Sequence, residues 1–122
     1  MKSHSDLVMN LASKFSFSNP LHIDLFPYVK QMEVEVLHMC ARMLNFTNEK
    51  GLPVGSFNSG GTESIMLAIL AYREYKFKYE NVRNPNLVIC KTGHVAALKA
   101  CEYFDIEVRV VGYNKNYEMD VK

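Results

Sequence analysis

The sequence has no long apolar run, no excess of charge of either sign and no low-complexity stretch, and each absence removes a class of function. Its longest uncharged apolar stretch, residues 64–72, falls far short of the roughly 20 residues that a bilayer span requires, and the first residues carry no signal-peptide pattern. The 14 Lys and Arg are scattered among 13 Asp and Glu, leaving a net charge of +1. No basic face accumulates, so nucleic acid is not indicated as a partner. Cysteine is scarce and odd in number: Cys40, Cys90 and Cys101 stand in apolar surroundings. That usage points to a reduced, intracellular setting with core packing as their role. The histidines His4, His22, His38 and His94 are too dispersed to match a zinc pattern, and no Ser-His-Asp arrangement can be assembled. Glu33 and Glu35 fall on different faces of a helix and read as solvated. What remains, with almost half the residues apolar, is one compact domain or a piece of a larger one.

Two nucleotide motifs are also incomplete. From Gly55 the spacing reads G-x-x-x-x-G-G-T, which lacks the lysine of a P-loop, and no G-x-G-x-x-G occurs. The stretch Asn58-Ser59-Gly60-Gly61-Thr62-Glu63-Ser64 nevertheless leads straight into an apolar-periodic segment. Paired glycines open conformations closed to residues with a Cβ, and the first amides of the following helix are unpaired donors at the positive end of its dipole. A single phosphate held by amides and hydroxyls fits such a place. An ordinary Gly-rich turn, with Ser59 or Thr62 capping the helix and Glu63 in its first turn, fits the same residues equally well.

Along the chain the pattern alternates. Residues 6–15 are weakly helical, and residues 16–25 form a loop. Val29, Met32, Val36, Cys40 and Met43 recur at helical spacing, predicting a helix over 27–44 with Pro27 in its first turn. A turn-rich linker, 45–53, precedes the cradle. A helix over 62–80 follows, then a break at Asn84-Pro85-Asn86, a short strand at 87–90, a helix at 95–104 and a β-branched strand at 106–111 ended by Gly112. Strand, helix, strand, helix, strand with short links predicts an α/β fold with a mainly parallel sheet and flanking helices. Ligands of such sheets bind beyond the carboxyl ends of the strands. The loops 58–62 and 91–94 are both expected there, which gives His94 two readings: a helix cap, or an imidazole that stacks on a flat ring or donates to a ligand oxygen. Tyr72, Tyr75 and Tyr79, at helical spacing, read as packing at a core or subunit contact.

The assembled residues resemble the sphingosine-1-phosphate lyases. The resemblance rests on Asn19-Pro20-Leu21-His22, Leu25-Phe26-Pro27, Met32-Glu33-Val34-Glu35, Ser59-Gly60-Gly61-Thr62-Glu63-Ser64-Ile65, and His94 with Tyr103-Phe104. These lyases are pyridoxal-phosphate enzymes of the group that includes the glutamate and aromatic amino-acid decarboxylases. It implies part of the large domain of the fold-type I pyridoxal-phosphate enzymes over residues 26–122, preceded by an amino-terminal segment, 1–25, carrying the Asn-Pro-Leu-His loop. It implies pyridoxal 5'-phosphate as cofactor, with Gly60, Gly61 and Thr62 on its phosphate and His94 against its ring. Asn19 and His22 would lie near the substrate's phosphate at the interface of a homodimer. The implied reaction cleaves a phosphorylated sphingoid base to a fatty aldehyde and phosphoethanolamine.

Two positions depart from the pattern of these lyases: Ile23 follows His22, and Thr92-Gly93 precedes His94. Neither removes a polar group. The lysine that binds the cofactor in this group, and the aspartate facing its ring nitrogen, have no counterpart among the ten lysines and the acidic residues here; Lys91 and Lys99 read as surface charges. No catalytic residue is therefore nominated. The expectation is an amino-terminal fragment of the large domain, inactive alone and cytoplasmic, any endoplasmic reticulum anchor lying outside it. An amino-acid decarboxylase, a truncated non-catalytic partner subunit and a simple phosphate-ligand binder are the alternatives.

Overall fold

The structure, a computed structural model, describes residues 3–46 and 55–121. The chain divides into two compact units, Met1–Phe57 and Asn58–Lys122.

The first unit holds two helices. α1, His4–Lys14, opens on a capping box in which the Ser3 hydroxyl accepts from Asp6 N and the Asp6 carboxylate accepts from Ser3 N. α2, Pro27–Met43, begins with proline at the one place in a helix where its missing N–H is no loss. Of the apolar stripe predicted for α2, Val29, Met32 and Val36 line a shallow groove with Pro20 and Phe57, while Cys40 and Met43 are exposed. Glu33, expected to be solvated, sits at the edge of this groove. It accepts from Lys30 Nζ at 2.6 Å, and that bond, with a further one from the Phe57 backbone, holds its carboxyl below the usual glutamate range. Glu35 accepts from Gln31 Nε2 at 2.8 Å.

The second unit runs α3, Gly61–Glu80; β1, Asn86–Cys90; α4, Val95–Tyr103; and β2, Glu107–Val111. β1 and β2 pair in parallel, Asn86 opposite Glu107 through Cys90 opposite Val111. A parallel pair needs a crossover, and α4 supplies it. α4 packs on both α3 and β2. Its alanines make this possible: Ala96, Ala97, Ala100 and Cys101 are buried, and with Ile106 they form the core. Arg73 of α3 donates to the Phe104 carbonyl at 2.5 Å, fastening α3 to the end of α4. Beyond β2, Tyr113 bridges to Met119 in antiparallel fashion, and a turn held by the Asn114 side chain closes the loop between them.

Three sequence expectations change here. Residues 55–60 form no strand, so the loop 58–62 does not leave a strand end among the described residues, and most of the linker 45–53 lies outside them. Cys101 is a core residue, but Cys90 is half-buried and Cys40 is exposed. Tyr72, Tyr75 and Tyr79 are exposed on α3; only Tyr75 and Tyr79 touch, ring centroids 5.0 Å apart, and none belongs to the core of this chain. No helix of the described residues is long and apolar enough to cross a membrane.

Candidate functional site

Gly60 is the N-cap of α3, and its backbone is extended, with φ 168° and ψ −178°. Any residue adopts that conformation, so the glycine pair is not there to relieve strain, contrary to the sequence expectation. Its use is space. A Cβ built on Gly60 or Gly61 would meet nothing within 4 Å, and the two missing side chains leave the backbone bare at the head of a 20-residue helix. The amides of Gly61, Thr62 and Glu63 precede the helical ladder, which starts with Ser64 N donating to Gly60 O at 3.1 Å. Among the described residues no side chain caps these amides, so neither Ser59 nor Thr62 plays the expected part. The helix dipole adds partial positive charge at the same point. Open space, converging donors and the exposed Thr62 hydroxyl together fit the phosphate group of a monoester such as pyridoxal phosphate.

The loop ahead of the helix is tied down by the two residues that follow Thr62. Glu63 accepts from Ser59 N at 2.5 Å, and Ser64 Oγ donates to Gly60 O at 3.1 Å while accepting from Asn58 Nδ2 at 3.0 Å. Bonds from the Ser59 hydroxyl and then the Ser59 amide hold the Glu63 carboxyl below the usual range.

His94 lies in the same unit, in the loop that leaves the carboxyl end of β1. It is the N-cap of α4, and its Nδ1 accepts from Ala96 N at 3.0 Å. The two readings of His94 are thus compatible. Capping uses Nδ1, which fixes the ring's rotamer and puts the proton of the neutral ring on Nε2, and the exposed ring face stays available for stacking. Gly93, just before it, has neighbours that leave no room for a side chain. Sequence reasoning missed the pair beside it: Cys90 Sγ lies 3.2 Å from Thr92 Oγ1, and bonding by the Thr92 hydroxyl pulls the thiol below its ordinary range. A hydroxyl two residues after a cysteine at a strand end is the signal that could have shown it.

Asn19 and His22 belong to the first unit and share one turn. Asn19 Oδ1 accepts from Leu21 N at 3.1 Å, and the Asn19 carbonyl accepts from His22 N at 3.1 Å. Both side chains are exposed, and Pro20 between them, also exposed, is one of the residues that line the α2 groove. The structure therefore groups the site residues in two sets: Gly60, Gly61, Thr62 and His94 in one unit, Asn19 and His22 in the other.

Comparison with known proteins extends this geometry. Residues 3–122 match the pyridoxal-dependent decarboxylase conserved domain. Sphingosine-1-phosphate lyase from Drosophila melanogaster is 42% identical over 118 residues, covering 96% of this chain and 21% of that protein. Its counterpart from Oryza sativa subsp. japonica is 40% identical over 123 residues, covering 99% and 23%. A solved sphingosine-1-phosphate lyase from Burkholderia pseudomallei superposes with a TM-score of 0.82 at 29% identity, covering 91% of this chain and 26% of that one. The chain thus spans about a fifth of the length of the curated relatives it matches. The α/β layout is part of the large domain of the fold-type I pyridoxal-phosphate enzymes. A domain match that begins at Ser3 and runs through the last residue, on a fold that a solved relative shares, places the chain in the pyridoxal-dependent decarboxylase family.

Proposed function

We propose that this chain works as part of a pyridoxal-phosphate-dependent lyase that cleaves phosphorylated sphingoid bases to a fatty aldehyde and phosphoethanolamine. The observation that carries the reading is the lyase likeness at 40–42% identity over 96–99% of the chain, which takes in the Asn19–His22 turn as well as the cradle. The amides of Gly60, Gly61 and Thr62, with the Thr62 hydroxyl, hold the cofactor's phosphate, and the His94 ring lies against its pyridine ring. Asn19 Nδ2 and the His22 ring meet the substrate's phosphate, at a site completed by a second copy of the protein. When bound, the cofactor supplies the electron sink that carbon–carbon cleavage requires. The residues of this chain bind and orient; none of them is assigned a proton transfer. Alone, the chain turns over no phosphorylated sphingoid base.

The test is a graft. Put in place of the matching segment of the Drosophila melanogaster lyase, the chain should give a protein that loads pyridoxal phosphate, read from its visible absorbance, and cleaves sphingosine 1-phosphate. Replacing Asn19 and His22 by alanine in that graft should raise KM for the phosphorylated base with little change in cofactor content. A graft that loads the cofactor, leaves sphingosine 1-phosphate intact and releases carbon dioxide from an amino acid would overturn the reading in favour of a decarboxylase.

A further inference from the structure

The cradle is held open by its own first helical turn, and we infer that Glu63 and Ser64 are positioning residues for the phosphate site. This rests on the cradle reading above. In an ordinary capping box the carboxylate at the third helical position returns to the N–H of the N-cap. Here the N-cap is Gly60 and the third position is Glu63, yet the carboxylate reaches one residue further, to Ser59 N at 2.5 Å. The Ser59 donors are therefore committed to protein.

Ser64 completes the clamp. Its hydroxyl donates to Gly60 O and accepts from Asn58 Nδ2, so residues 58, 59 and 60 are each tied to one of two consecutive side chains. Gly60 O also receives Ser64 N at 3.1 Å, which gives this carbonyl two donors from the helix side. In a trans peptide the C=O and the N–H lie in one plane and point in opposite directions from the C–N bond. Pinning the Gly60 carbonyl toward the helix consequently turns the Gly61 N–H the other way, out of the head of the helix, where a Cβ on Gly60 or Gly61 would meet nothing within 4 Å. The clamp thus determines both which amides face the ligand and which are withheld from it. Neither Glu63 nor Ser64 touches the ligand in this arrangement.

Glu63 and Ser64 are exposed, so their replacement leaves the core untouched. The experiment uses the 122-residue chain with Glu63→Ala, Glu63→Gln and Ser64→Ala, read by amide hydrogen exchange across residues 55–66. The probe is pyridoxine 5'-phosphate, which has no aldehyde to react with lysines, and pyridoxine is the control. In the unsubstituted chain the phosphate ester should slow exchange at residues 60–62 and pyridoxine should not. Glu63→Ala should speed exchange at Ser59 about tenfold, the loss of one charge-assisted bond, and weaken the ester's protection several-fold. Glu63→Gln, which keeps an acceptor, should restore most of both. Ser64→Ala should weaken protection without speeding Ser59.

Faster exchange spread evenly along α3, or unchanged protection by the ester in Glu63→Ala, would overturn the inference while leaving the cradle standing. No protection by the ester in the unsubstituted chain would remove the cradle itself, and the positioning role with it.

Discussion

At the carboxyl end of β1 the backbone of Gly93 runs so close to its neighbours that a Cβ placed there would lie 2.6 Å from Ile89 Cγ1 and 2.9 Å from the Cys90 carbonyl oxygen. One of these contacts is backbone and cannot swing aside. At Gly60 the same atom would meet nothing within 4 Å. The two glycines thus serve opposite ends: one lets the chain pack against itself, the other keeps a surface clear for something that is not the chain. Gly93→Ala should destabilise the second unit by about 1–3 kcal/mol, the usual cost of overpacking, with faster exchange of the Ala96 amide as His94 is displaced. Gly60→Ala should leave stability within about 0.5 kcal/mol, as for an ordinary surface change, and abolish protection by pyridoxine 5'-phosphate. Urea unfolding followed by circular dichroism, paired with the exchange measurement, separates the two. Equal stability losses would refute the division of roles.

Among the elements, α4 shows how little side chain a crossover helix needs. Ala96, Ala97, Ala100 and Cys101 are the residues it buries, and their small size lets it lie against α3 on one side and β2 on the other. Ala100, at 0% exposure, has no slack. Ala100→Leu is expected to cost about 1–3 kcal/mol, whereas Lys99→Ala, on the exposed side, should fall within about 0.5 kcal/mol; a shift of the urea midpoint by Lys99→Ala as large as that by Ala100→Leu would contradict the packing.

The helices and strands were legible in the sequence because their periodicity is local: α2 was expected over 27–44 and runs Pro27–Met43, and β2 was expected over 106–111 and runs Glu107–Val111. The ends were less so. Asn45, Asn81 and Asp105 close three helices at φ 57°, 55° and 53°, using Asn and Asp in the left-handed region where glycine is the usual signal. The glycine-rich head of α3 pointed to a phosphate site, but for the wrong conformational reason, since Gly60 is extended and what matters there is vacant space. The Glu63 and Ser64 clamp was out of reach, because a carboxylate in a first turn has several acceptable partners and only the folded loop selects Ser59.

For the molecule as a whole, the deciding quantity is how much apolar surface finds no cover. Among the described residues five are buried, and all lie in the second unit. α1 and α2 bury none, and α3 buries none along its 20 residues. Leu21 is 81% exposed, Met43 83% and Tyr79 65%. Covering half a dozen such side chains is worth on the order of 10 kcal/mol at roughly 1.5–3 kcal/mol each, comparable with the 4–15 kcal/mol or so that association costs in lost freedom. A net charge of +1 adds little repulsion to oppose it. The isolated chain should therefore self-associate as its concentration rises, and its first unit should melt with little cooperativity, because α1 and α2 bury no residue. Sedimentation velocity over a hundredfold range of concentration, with thermal unfolding at each, checks this. A single monomeric species with one sharp, concentration-independent transition would show that the exposed faces of α1, α2 and α3 need no partner.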